Sequence, residues 1–199
     1  MSDSNTLRVA IIGAGPAGLM AAETLSLAGV QVDIYDAMPS AGRKFLLAGI
    51  GGLNITHSEP YDSFCSRYGD RQAQLRPILD RLPPSALRSW ASGLGIETFV
   101  GSSGRVFPSG MKAAPLLRAW LHRLRSSGVR LHVRHRWLGW NSDGGLRLNN
   151  TGGEISIKPE ATILALGGAR WPKLGSDGAW VSLLVGMGGD VAPLQSANC

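Results

Sequence analysis

RVAIIGAGPAGLMAAETLSLAGVQVDIYD, running from Arg8 to Asp36, is the stretch that decides the fold. Val9 to Ile12 form an unbroken apolar run, the pattern of a parallel strand covered on both faces. Gly13, Gly15 and Gly18 then complete a GxGxxG spacing. The first glycine permits a tight strand-to-helix turn, the second lets the backbone approach a pyrophosphate, and the third allows close helix-sheet packing. A segment of helical composition starts near Pro16, whose missing N–H is harmless in a first turn, and stops at Gly29. A second strand, Val30 to Tyr35, ends on Asp36, where an acid accepts both hydroxyls of an adenosine ribose and disfavours a 2′-phosphate. In a chain with 27 glycines among 199 residues, a bare GxGxxG arises by chance about 0.5 times. What marks a dinucleotide site is therefore the order of strand, helix and acid-ended strand around the glycines.

Composition frames that unit. The length suits one α/β domain with a real core, or one domain plus an insertion, and 44% apolar against 17% charged residues argues against disorder. The N-terminus lacks a basic segment before an apolar one, and the first apolar run is broken by Gly13, Gly15, Pro16 and Gly18, so neither a signal peptide nor a membrane span is expected. Cys65 and Cys199 form no CxxC pair, which leaves no local redox dithiol or zinc knuckle and suits a reducing cytoplasm. Thirteen arginines and Lys112 face four acids between residues 67 and 147, while the rest of the chain is net acidic. A basic middle of this kind serves an anionic substrate or nucleic acid, but a solvated arginine-rich surface is the preferred reading and nucleic acid is not expected as a partner.

Between Ala37 and Glu59, Pro39, Gly42, Gly49, Gly51 and Gly52 forbid a long regular element, giving a loop at the carboxyl end of the second strand, the edge where open α/β sheets bind ligands. Arg43 and Lys44 are candidates to pair with pyrophosphate or ribose oxygens, and Gly51, Gly52, Asn54 and Thr56 offer backbone and small polar groups to a ring system. Helical spacing follows over Arg71–Leu82, with Leu75, Ile78, Leu79 and Leu82 on one face, and over Pro84–Leu94, with Leu87, Trp90 and Leu94. Ile96–Val100 and Arg105–Phe107 read as a hairpin. Lys112–Ser127 carries Leu116, Leu117, Trp120, Leu121 and Leu124 on one helical face, and Val129–Val133 reads as a third strand. His132 and His135, three apart in a strand, are expected on opposite faces, so no metal site is expected there. Trp137–Ile157 has the turn signals of a β-meander, and Ala161–Leu166 is a further buried strand ending in Gly167-Gly168. Ser176 is placed to cap a helix over Asp177–Met187, and Asp190 onward reads as the start of a strand.

GAGPAG (Gly13–Gly18), the acid-ended second strand, AGRK (Ala41–Lys44), GGLNITH (Gly51–His57), GRVFPSGMKAAPLL (Gly104–Leu117) and ALGGARWPKLGSDG (Ala165–Gly178) together resemble the BaiN/YhiN-type bacterial flavoproteins, described as NAD(P)/FAD-dependent oxidoreductases or aminoacetone oxidase family FAD-binding enzymes. Gly52 and Leu53 stand where Arg and Cys are usual in that family, so the chain resembles a divergent subgroup. The resemblance implies an α/β Rossmann-like FAD-binding domain, with a parallel sheet, helices and a β-meander, interrupted by a small helical insertion. It divides the chain into residues 1–59 and 111–189 of the FAD domain, an insertion at 60–110, and the start of a second, missing domain at 190–199, making the chain the N-terminal portion of a longer protein. FAD is the implied cofactor, with NAD(P)H as an electron donor and a small molecule as substrate. Ala14, Ala17 and Ala37 join the fingerprint positions, Trp137 takes the adenine-edge position where Val is usual, and Ala165, Gly167 and Gly168 let the backbone pass close to the cofactor, with Leu166 in place of Thr. The catalytic residues stay unassigned, His57 being read as a polar loop residue. The alternatives are a catalytically inactive FAD-binding fragment and a flavoprotein acting on RNA through the basic middle.

Overall fold

The structure, a computed structural model, describes residues 7–195. The chain separates into two compact units, one made of the residues up to Lys44 together with those from Leu124 onward, the other of Phe45–Arg123.

The first unit begins with β1 (Arg8–Ile12), α1 (Pro16–Leu27) and β2 (Gln31–Asp36). Pro16 occupies the first turn of α1, and the helix stops because Gly29 takes φ 78°, letting its N–H reach the Ser26 carbonyl while Val30 N–H reaches Leu25, the glycine-terminated C-cap expected there. In the second unit, α2 (Arg43–Ala48), which starts at the unit boundary, is a single short helix inside the expected loop. It is followed by β3 (Thr56–His57), α3 (Tyr61–Ser66), α4 (Gln72–Leu79), α5 (Pro84–Gly93), β4 (Thr98–Val100), β5 (Arg105–Pro108) and most of α6 (Ala113–Ser126). Its sheet is antiparallel, in the order β3-β5-β4. Its core gathers Leu53, Ala91, Ala113 and Leu116, flanked by Phe45, Ile55 and Trp90. Trp90 and Trp120 meet edge to face at 4.8 Å. The amphipathic face expected of α4 is narrower than its spacing suggested. Leu75 and Leu79 are half-buried, but Ile78 is 65% exposed, because a helix of eight residues presents two adjacent turns to a neighbour rather than a broad stripe.

The chain then returns with β6 (Arg130–Val133), β7 (Arg136–Trp140), β8 (Leu146–Asn150), β9 (Gly153–Ile157), β10 (Ala161–Leu164) and α7 (Trp180–Gly186). The first unit's main sheet is parallel, in the order β10-β1-β2-β6, and β7-β8-β9 form the antiparallel meander. The two faces of β1 explain its continuous apolar run: Ala10 and Ile12 pack with Tyr35, Trp137, Leu146 and Leu148 beneath the meander, whereas Ile11 faces Gly18 of α1. Residues 190–195 form no strand, and the remainder of that expected strand, with Cys199, lies outside the described residues. No helix among the described residues is long and apolar enough to cross a membrane.

Candidate functional site

Three turns converge at the carboxyl ends of β1, β2 and β10. Gly13 takes φ 108° and donates its N–H to the Tyr35 carbonyl at 2.8 Å, while Ala165 N–H donates to the Ile12 carbonyl at 2.8 Å. A Cβ on Gly13 would collide with the Ala165 carbonyl, and a Cβ on Gly18 with the Gly13 carbonyl. These two glycines are required by backbone packing alone. Gly15 differs: nothing lies within 4 Å of the place its Cβ would occupy, so the space above it is free at the start of α1. The N–H groups of Ala17 and Gly18 belong to the first turn of that helix, which supplies no carbonyl partners of its own and carries the positive end of the helix dipole.

Asp36 closes the turn. Its Oδ2 accepts the Ala14 N–H at 2.6 Å and its Oδ1 the Met38 N–H at 2.8 Å, so the carboxylate pins the glycine loop to the β2 exit while each oxygen keeps lone-pair capacity for a further donor. Ala14 carbonyl in turn accepts the Gly42 N–H at 2.9 Å, bringing the start of α2 to the same loop. The next residue, Arg43, has a buried Nε with no hydrogen-bond partner, and Lys44 is exposed. Across the turn, Gly167 takes φ 70° and Gly168 has open space above it. An open glycine and the N–H groups of a helix's first turn are donors that a pyrophosphate satisfies.

Beyond Asp36 lies a cavity of about 80 Å³ whose lining includes Gly13, Ala37, Trp137 and Leu166, with Trp180 and Leu183 from α7. Trp137 is 7% exposed, and the indole nitrogens of both Trp137 and Trp180 are buried without a hydrogen-bond partner. Trp180 carries no signal in the sequence beyond a short apolar segment after a glycine-rich turn. That turn is built differently from the capped helix expected. Ser176 donates its hydroxyl to the Gly168 carbonyl at 2.7 Å instead of capping, and Asp177 takes the Ala179 N–H at 3.1 Å while pairing with Arg136 at 3.0 Å. Burial pushes the Asp177 carboxyl up, but the Ala179 N–H and the Arg136 guanidinium outweigh it and hold the group below its ordinary value.

His132 and His135 do not point apart. The strand ends at Val133, Arg134 takes φ 58°, and this left-handed residue resets the alternation, so the two rings come within 5.7 Å and both pack on Tyr35. His135 Nδ1 lies 2.7 Å from the Val133 carbonyl, and His132 Nε2 lies 2.7 Å from Asp33. The described residues contain no group of three or more metal-ligating side chains. Asp33 also receives a two-pronged Arg130 and Arg8. Burial pushes its carboxyl up, and hydrogen bonds from Arg130, His132 and Arg8 more than reverse that, leaving it below the ordinary value.

In the second unit, Gly51 has open space where a Cβ would stand, whereas a Cβ on Gly52 would meet the Met111 side chain at 2.7 Å; Asn54 and Thr56 border a separate cavity of about 500 Å³. His57 Nε2 faces the Ser103 carbonyl at 3.0 Å, which makes it the donor, and Nδ1 then accepts the Glu59 N–H at 3.2 Å. Its ring is committed to holding loops together. Six of the thirteen arginines of the basic stretch, Arg67, Arg76, Arg88, Arg130, Arg136 and Arg147, bond to an acid or to Thr98.

The family model of the HI0933-like protein Rossmann domain matches residues 7–196. The 3-dehydro-bile acid delta(4,6)-reductase of Clostridium scindens is 28% identical over 197 residues, an alignment covering 96% of this chain and 46% of that protein; the chain thus spans about half the length of that relative. Two solved structures share the fold. A flavocytochrome c3 fumarate reductase in its open conformation superposes with a TM-score of 0.59 at 21% identity, covering 83% of this chain and 34% of the other. The 3-ketosteroid-delta4-(5alpha)-dehydrogenase of Rhodococcus jostii RHA1 gives 0.58 at 16%, covering 84% and 47%.

Proposed function

The chain belongs to the HI0933-like family of FAD-binding Rossmann domains, and from that premise we propose that it carries the ADP-binding half of the FAD site of an oxidoreductase acting on a small molecule. The observation that carries this reading is the contrast between Gly13 and Gly18, whose missing side chains are demanded by packing, and Gly15, whose missing side chain leaves a space that nothing in the chain fills. A pyrophosphate in that space meets the first turn of α1, and Arg43, next to the Gly42 whose N–H is held by the Ala14 carbonyl, is a further candidate partner. Asp36, anchored by Ala14 and Met38, offers its remaining lone pairs to the ribose hydroxyls, and its charge opposes a 2′-phosphate. Gly167 and Gly168 keep the facing turn low enough for the dinucleotide to pass. FAD, when bound, supplies the hydride- or electron-transferring ring system; the protein's part is to bind, orient and shelter it.

The test is binding. Purified chain is expected to carry visible flavin absorbance or to take up FAD, and FAD at about 100 times its Kd stabilises the fold by about 2.7 kcal/mol, read as a rise in Tm. NADP, with its 2′-phosphate, is expected to give a smaller shift. Absence of any shift with FAD and with ADP defeats the assignment.

A further inference from the structure

We propose that the second unit holds a binding site of its own, for a small apolar molecule carrying one carboxylate, in the cavity of about 500 Å³ that Asn54 and Thr56 border. Every residue of its lining falls within Phe45–Arg123, and the proposal stands independently of the FAD assignment. The walls are apolar: Ile55 before β3, Phe64 of α3, Leu79 of α4, Leu82 in the turn after it and Leu87 of α5 all face the same space. Leu82 stays 40% exposed there, an apolar side chain that the described residues do not cover. The volume is that of a small-molecule pocket.

Charge selects the ligand. Glu59, Arg67 and Arg105 also line the cavity. Arg67 Nε lies 2.7 Å from Glu59 Oε1, and the Glu59 side chain is only 13% exposed, so those two charges answer each other. Arg105 is left over: it is exposed, and its guanidinium bonds to nothing among the described residues. Apolar walls with one surplus cation match a monoanion with an apolar body, because the walls take the body out of water and a guanidinium meets a carboxylate with two parallel hydrogen bonds. The polar side of the cavity is held in advance of any ligand. His57 pairs in register with Arg105 across β3 and β5, its Nε2 donates to the Ser103 carbonyl at 3.0 Å, and Gly104 packs so closely that a Cβ there would meet the ring at 2.6 Å. A site ordered beforehand spends less of its binding energy on ordering.

The experiment titrates the 199-residue chain with octanoate, 1-octanol and octylammonium by calorimetry, in the unaltered protein and in Arg105→Gln and Leu82→Glu, both at exposed positions. Octanoate is expected to bind with a Kd below about 1 mM and about tenfold more tightly than octanol, with octylammonium weakest. Arg105→Gln is expected to lose about tenfold for octanoate and nothing for octanol, while Leu82→Glu, which puts a carboxylate into the apolar wall, weakens both. Saturating ADP is expected to leave octanoate binding unchanged. No octanoate binding at about 1 mM, or equal affinity for octanoate and octanol, overturns the proposal without requiring a folded variant. Undiminished octanoate binding in Arg105→Gln overturns it as well, and so does displacement of octanoate by ADP, which would put the carboxylate in the dinucleotide site. Failure of FAD and ADP to bind defeats the cofactor assignment alone and leaves the octanoate comparison to be read as it stands.

Discussion

The two units of the chain are stabilised by different means. In the sheet unit, β1 and β2 are buried on both faces, and the turn after β1 is packed so tightly against the end of β10 and against α1 that Gly13 and Gly18 have carbonyl oxygens where a side chain would go. In the second unit α4 buries no residue, β3 is two residues long, and a compact cluster forms around Leu53, Ala91, Ala113 and Leu116. The sheet unit is thus intolerant where backbone meets backbone carbonyls at its turns, while in the second unit the crowded glycines Gly52 and Gly104 meet the side chains of Met111 and His57, and Gly49 meets Ala113.

The largest expected effect tests that contrast at glycine. Gly18→Ala forces a methyl group into the Gly13 carbonyl and is expected to cost about 3 kcal/mol or more, whereas Gly110→Ala, with nothing within 4 Å, stays within about 0.5 kcal/mol; urea denaturation reads both, and equal midpoints would erase the distinction. Next comes Leu116→Ala, which empties a 1%-exposed position and is expected to cost about 3 kcal/mol, against almost nothing for the exposed Ile78→Ala. Hydrogen exchange should likewise show α4 amides opening at lower free energy than those of β1 and β2.

Asp33→Asn comes third. Its Arg8 and Arg130 partners are 45% and 48% exposed, so the loss is set at about 2 kcal/mol, less than for a fully enclosed pair. The folded carboxyl lies below its ordinary 3.8, so its contribution is complete above that value and drains away as the pH falls through the folded one. The unaltered chain should accordingly lose more stability between about pH 5 and pH 2 than Asp33→Asn does, and equal losses in parallel acid titrations by circular dichroism would refute this. The smallest stability effect is the sharpest for function. Gly15→Ala has room for its methyl group and an ordinary φ of −79°, so stability should hold within about 0.5 kcal/mol while FAD affinity falls about tenfold or more because the methyl stands in the phosphate's place. Unchanged FAD affinity in that variant would mean the open space is not the binding site.

Elements with a strong local pattern are legible in the sequence. The strand-glycine-helix unit, the α6 stripe, the hairpin, both meander turns and the two glycine turns at the sheet edge are all present where the residues indicate them. The features that depart from the sequence pattern depend on contacts outside the local window. The alternation that would part His132 from His135 is broken because Arg134 adopts a left-handed conformation that shifts which side the next residues face. Ser176 has the type and spacing of a cap, but the Gly168 carbonyl lies within its reach, and Asp177 accepts the Ala179 N–H just before the helix, which begins at Trp180 without a side-chain cap. Asp33 gives no sign of its role in the sequence, since its partners are 25 residues before it and 97 and 99 after it.

By itself the sequence determined the class of fold and the order of glycine turn, helix and acid on which the proposed site stands, because glycine spacing, apolar runs and an acid at a strand end act over a few residues, where covalent geometry alone links pattern to shape. The tertiary structure alone decided which of the three glycines is free of packing demands, that Asp36 anchors the loop as well as facing it, and that Trp180 meets Trp137 at one cavity. Those facts depend on segments brought together by the parallel crossover from β1 to β10 and by the helix that follows it, and through-space adjacency of that kind leaves no periodicity in the chain to be read.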